Sequence, residues 1–160
     1  MSKLLQILTC IVVAAAVGAA AQLTVSSGKP NELKGVTKIH IAANDKISRD
    51  SIASEIEKKL PQLVVTEKAE EAQVWLVFRV DMRAYTKNNP SFNESSPNLA
   101  TLVGPEYEVV AMGEVLRPTS QTSAHSLLKF KDSGNSMLRQ KFVVEFADSF
   151  VKSYQKANHR

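Results

Sequence analysis

The sequence predicts an α+β fold: a two-layer sandwich in which a mixed, mostly antiparallel sheet of about five strands carries two helices on one face. Three observations predict it. The stretch Glu70–Tyr85 reads E-E-A-Q-V-W-L-V-F-R-V-D-M-R-A-Y, and its even positions from Val74 to Ala84 are all apolar. That period of two marks a strand with one buried face. In Met137–Asn158 the residues Leu138, Phe142, Phe146, Phe150 and Tyr154 recur every fourth position, with Val143 and Val151 beside them. This is the apolar stripe of an amphipathic helix. Third, the elements run strand–helix–strand–strand–strand–strand–helix. That order suits a parallel crossover at the start, antiparallel hairpins after it, and helices collected on one side.

Each element has a local reason. Val36–Ala43 alternates Ile39 and Ile41 with Lys38 and His40, a first strand. Asn44-Asp45-Lys46 turns the chain, and Ser48 or Asp50 can cap a helix to about Leu60. Ile52, Ile56 and Leu60 form its stripe, and Pro61 stops it. Leu63–Thr66 is a short strand, followed by the polar turn over Glu67–Gln73. Glu106–Leu116 reads as a strand with Tyr107, Val109, Ala111 and Val115 on one side. Pro118–Ala124 is a polar connection, Ser126–Lys131 a last strand, and Asp132–Ser136 a turn that leads into the closing helix. Residues 86–105 are rich in Asn, Ser and Pro and read as a long loop, a kind of segment that is often functional.

The N-terminus speaks to compartment. Lys3 is a basic start, Leu4–Val17 an apolar run, and Ala19-Ala20-Ala21 a small-residue cleavage site, so residues 1–21 read as a secretory signal peptide. Retention as a membrane anchor is the rival reading, ranked second because Gln6 and Thr9 interrupt the run and its second half is mostly alanine. Cleavage would leave no stable membrane anchor. The domain organisation expected is a signal peptide (1–21), a flexible lead-in (22–35) and one α+β domain (36–158). Cys10 is the only cysteine, so the exported chain is expected to hold together by packing without disulfides. The formal net charge of +4 falls to +3 without Lys3, too little for a nucleic-acid footprint.

The residues carry no recognisable catalytic pattern. His40, His125 and His159 fall on a strand, a loop and the tail with no metal-ligand spacing. No serine lies in a nucleophile elbow, and the isolated Gly104, Gly113 and Gly134 form no phosphate cradle. Neither enzymatic activity nor a cofactor is expected. The candidate surface is the face of the sheet turned away from the helices. Strict alternation places Lys38, His40, Trp75, Arg79, Asp81, Arg83, Lys129 and Lys131 there, a mostly cationic set with an apolar end at Trp75 and Val77. Such a face suits a protein or an anionic envelope polymer, although any two-layer sandwich must present polar side chains on its open side.

The run V-T-K-I-H-I-A, the helix ending at Leu60-Pro61, and L-V-V-T-E-K-A-E-E-A-Q-V-W-L-V-F-R-V together resemble the opening of small bacterial cell-envelope domains of the TolB N-terminal, LptE and CsgG kind. The closing F-A-D-S-F-V-K-S-Y-Q-K-A-N is similar to the end of many uncharacterised secreted bacterial proteins. No cysteine follows the signal, so lipid anchoring is not implied. The resemblance implies an exported binding or assembly module of the bacterial envelope, periplasmic or secreted, and transfers no site residue. The alternative is a small hydrolase or ligand-binding protein with a site in the 86–104 loop, with Asp81, Arg83 and Tyr85 at its base.

Overall fold

In a computed structural model, residues 22–85, 106–135 and 138–159 are described. The signal peptide and the 86–105 loop expected from the sequence lie outside these residues. The described chain builds one six-stranded sheet with two helices. The strands are β1 (Thr24–Ser27), β2 (Lys38–Ala43), β3 (Val64–Val65), β4 (Val74–Tyr85), β5 (Glu106–Ser120) and β6 (Ser123–Asn135). The helices are α1 (Lys46–Lys59), between β2 and β3, and α2 (Arg139–Asn158), after β6. The strand order is β1-β6-β5-β4-β2-β3. β2 pairs parallel with both β3 and β4, whereas β4–β5 and β5–β6 are the antiparallel hairpin pairs anticipated from the sequence.

Both helices lie against one face. The apolar phase of β4 (Val74, Leu76, Phe78, Val80) shares a single core with Ile39 and Ile41 of β2 and Val109, Ala111 and Val115 of β5. Ile52 and Ile56 of α1 and Phe142, Phe146 and Phe150 of α2 fill the same core. The Phe146 ring stacks on Phe78 at a centroid distance of 5.3 Å and leans on Phe130 at 5.9 Å. It can come that close because Gly113 lies beneath it. A Cβ at residue 113 would sit 2.5 Å from the Phe146 ring carbons, so here a strand glycine marks a close approach to the backbone.

Three expectations need correction. The sheet has a sixth strand because the lead-in over 22–35 contributes one: β1 adds to β6 in parallel, with Val25 opposite Ala124. The segment then makes a short 3-10 turn (Pro30–Leu33) that buries Leu33, and Val36 follows it into the core. Parallel pairing and two buried apolar side chains outweigh the loop-like composition of Ser26–Asn31. Second, β5 and β6 run beyond their expected ends and turn at Gln121-Thr122, so the strands swallow the polar connection over Pro118–Ala124 and much of the turn over Asp132–Ser136. Register shifts at Val115/Leu116 and Pro118/Ser120 absorb the proline without ending the pairing. Third, α1 is capped by Asp45, whose carboxylate accepts the Ser48 amide at 2.9 Å, and not by Ser48 or Asp50.

Candidate functional site

The candidate surface is the sheet face opposite the helices, and its layout follows from register. His40 lies beside Trp75, and Trp75 beside Leu116. The next row sets Ala42, Val77, Glu114 and Lys129 side by side. Arg79, Met112 and Lys131 form the row after it, followed by Asp81, Val110 and Ser133, then Arg83, Glu108 and Asn135. Lys38 precedes His40 by one pleat period on β2 and shares its face. All the residues singled out from the sequence therefore fall on one side of the sheet. They do not converge on one point: Lys38 and His40 stand at the β2 end, Lys129 and Lys131 two strands away on β6.

Their partners divide them. The Trp75 indole donates to the Ala69 carbonyl at 2.8 Å, and the His40 Nδ1 lies 3.0 Å from the Thr66 carbonyl. Both rings are thereby tied to the segment after β3. Arg79 is matched by Asp81, with Nε 2.7 Å from a carboxylate oxygen. Lys129 approaches Glu114 at 3.8 Å. Among the described residues Lys38, Arg83 and Lys131 have no ion-pair partner, and all three are exposed. Glu108, opposite Arg83, has no ion-pair partner among the described residues either, so cations outnumber anions among the unmatched charges of this face.

The apolar end read from the sequence at Trp75 and Val77 belongs to a larger cluster on the same face, whose other members the sequence reading did not name. Val77, Leu116 and Ala124 are buried there at 2 % exposure or less, with Leu23, Val25, Ala42 and Trp75 against them. Glu114 beside them is also buried, and its Oε1 has no hydrogen-bond donor among the described residues. The signal for these residues was available in the second phase of β5, where Val110, Met112, Glu114 and Leu116 alternate with the core positions. An acid inside that otherwise apolar phase is what marks Glu114.

A separate polar cluster ties the lead-in to β6. Glu32 accepts from the Lys29 amide at 3.0 Å and lies 2.8 Å from the His125 Nδ1, while Arg117 donates to the Glu32 carbonyl. The His125 hydrogen bond, with the Lys29 amide next, lowers the Glu32 pKa from its ordinary 4.5 against the opposing effect of burial. This is a fastening of the fold, since each polar atom named is met by another part of the chain. Among the described residues no group of three or more His, Cys, Asp or Glu side chains is placed to hold a metal ion, and no helix is long and apolar enough to cross a membrane. The alternative site in the 86–104 loop falls outside the described residues.

The geometry defines a two-layer α+β domain in which, among the described residues, both helices cover one face of the sheet and none covers the other. No known protein family matches the chain, and no curated protein does. Among solved structures it is similar to rare lipoprotein B from Shewanella oneidensis, at 12% identity and a TM-score of 0.40, over 75% of this chain and 95% of that one. It is also similar to a minor lipoprotein from Acinetobacter baumannii, at 11% identity and a TM-score of 0.40, covering 77% and 93% of the two chains. An uncharacterized lipoprotein B from Nitrosomonas europaea matches at 13% identity and a TM-score of 0.39, over 79% and 86%. Likenesses this distant assign no function, ligand or partner to this chain.

Proposed function

We propose that the chain is an exported, non-catalytic binding or assembly module of the bacterial cell envelope that receives an acidic protein or anionic envelope polymer on the sheet face opposite its two described helices. The observation that supports this most is the set of exposed cations without an ion-pair partner, Lys38, Arg83 and Lys131, on the same sheet face as an apolar cluster. Cations without local counterions attract anionic surfaces, and apolar area on the same face adds to what a partner can bury. Export rests on the basic start, apolar run and Ala-Ala-Ala end of residues 1–21.

The test uses a polyglutamate column as the anionic probe and the chain recovered after export. Retention should fall at least tenfold in the Lys38→Glu/Lys131→Glu variant. It should also fall with salt, because attraction between exposed charges is screened over about 8 Å at physiological ionic strength. In-cell crosslinking followed by mass spectrometry of this variant and the parent then compares their captured partners. Equal retention of parent and variant overturns the proposal for this face.

A further inference from the structure

β4 is twice as long as β2, and among the described residues the mismatch leaves part of one edge unpaired. The β2–β4 ladder ends at Ala43 opposite Phe78. Asn44 then extends it by one step. Its backbone amide donates to the Phe78 carbonyl, its side-chain nitrogen donates to the Val80 carbonyl at 2.8 Å, and its side-chain oxygen accepts the Val80 amide at 3.1 Å. One asparagine side chain thus meets both polar groups of Val80, as a neighbouring strand would. Along a strand, alternate residues direct their N–H and C=O to the same edge, so Met82 and Ala84 present theirs outward past Asn44. Among the described residues no strand pairs with that edge beyond Phe78, and β5 occupies the other side.

We propose that this edge of β4, centred on Met82, accepts one extended segment of a partner protein as an added strand, apolar where it passes Met82 and acidic where it passes Arg83. The inference rests on the reading of the chain as a binding module and moves the contact from the sheet face to its edge. Unpaired N–H and C=O groups at strand spacing are matched by another strand backbone, and side chains on alternate sides then set the preference. Met82 is 55 % exposed on the helix side of the ribbon. On the other side Asp81 is occupied by Arg79, and Arg83, which faces Glu108 of β5 without an ion pair to it among the described residues, is the cation at this edge.

A second copy of the chain fits this edge poorly. Pairing Met82 with Met82 of the copy sets Ala84 against Val80, whose groups Asn44 already fills. Sliding the copy to free Val80 sets Arg83 directly against Arg83, and like charges opposite one another are destabilising. An unlike strand with an acid at that place avoids both conflicts.

The experiment titrates the exported chain with a fluorescent peptide, Thr-Val-Glu-Val-Glu-Val-Thr, and reads anisotropy and amide hydrogen exchange. Exchange at Met82 and Ala84 should slow at least tenfold on binding. Met82→Pro removes an outward N–H at an edge position where proline is tolerated, and should weaken binding at least tenfold. Arg83→Glu should reverse the preference in favour of the peptide with lysine in place of glutamate, which decides the matter if Met82→Pro fails to fold. Unchanged affinity in both variants, protection elsewhere in the chain, or the same protection produced by raising protein concentration without peptide would each overturn the proposal. The Lys38→Glu/Lys131→Glu variant should still bind the peptide. Failure at the edge and failure of the face reading are therefore told apart.

Discussion

Gly113 and Phe146 show how one residue sets the terms for another. The ring of Phe146 is fully buried against the backbone of β5, in space that any side chain at position 113 would occupy. Gly113→Ala is therefore expected to lower the melting temperature, with a loss of about 1–3 kcal/mol from overpacking. The combined Gly113→Ala/Phe146→Leu variant should lose less than the two single variants added together, since the smaller side chain relieves the clash. Strict additivity would mean that the two do not share that space. Glu32 offers a pH-dependent counterpart. Its pKa is lowered in the fold, so its contribution is present above about pH 4.5 and is lost as pH falls through the folded value. Glu32→Gln should cost under about 1 kcal/mol at neutral pH, because the pair is partly exposed. Urea melts should show the gap between parent and variant closing in acid, and a gap constant with pH would deny the carboxylate this role.

At the scale of elements, helix α1 depends on a cap that also joins the two helices. Asp45 accepts the Ser48 amide and is met by Arg139 of α2 at 2.7 Å. Burial pushes its pKa up, and the Ser48 and Arg139 interactions outweigh that to leave it lowered. Asp45→Ala should cost about 1–2 kcal/mol in chemical denaturation, at the upper part of the range for cap removal because α2 loses a contact as well. Asp50→Ala should change less, since Asp50 meets only exposed Lys46 and Arg49 on its own helix. Equal effects from the two would contradict the cap. Ser48 and Asp50 were the caps expected because the apolar stripe starts at Ile52. The helix in fact begins earlier, with Ile47 turned to solvent. Apolar periodicity locates the buried face of a helix, but its first turn need not carry that stripe, and here the residue it buries is the polar Ser48.

Across the whole molecule, the lead-in acts as a strap closing one end of the sandwich. Tyr154 near the end of α2 donates its hydroxyl to the Val36 carbonyl at 2.9 Å. Asn158 accepts the Gly35 amide at 3.0 Å and donates to the Leu33 carbonyl at 3.2 Å. Gly35 takes a φ of 74°, which other residues adopt at a cost, and this turns the chain from the 3-10 turn toward β2. Leu33 is fully buried, so Leu33→Ala should destabilise the protein by about 2–5 kcal/mol, as for a core position. A melting shift no larger than that of an exposed substitution would return the strap to the status of a loose leader.

Alternation and four-residue spacing are local properties, and they were enough to determine the α+β class, both helices, the buried phase of β4 and the shared face of Lys38, Trp75, Arg79 and Lys131. Each follows from where successive side chains point along one element. What only the tertiary structure decided depends on residues far apart in sequence. β1 exists because β6 offers it an edge and the core takes Leu33, although its own composition is that of a loop. Arg79 is matched and Arg83 is not because Asp81 turns to one of them, and Glu114 meets Lys129 because the β5–β6 register, shifted at Val115/Leu116, sets them opposite. The open edge at Met82 is likewise a difference in length between β4 and β2, completed by the side chain of Asn44. No single stretch of sequence encodes it, since an edge is defined by which strand fails to reach it.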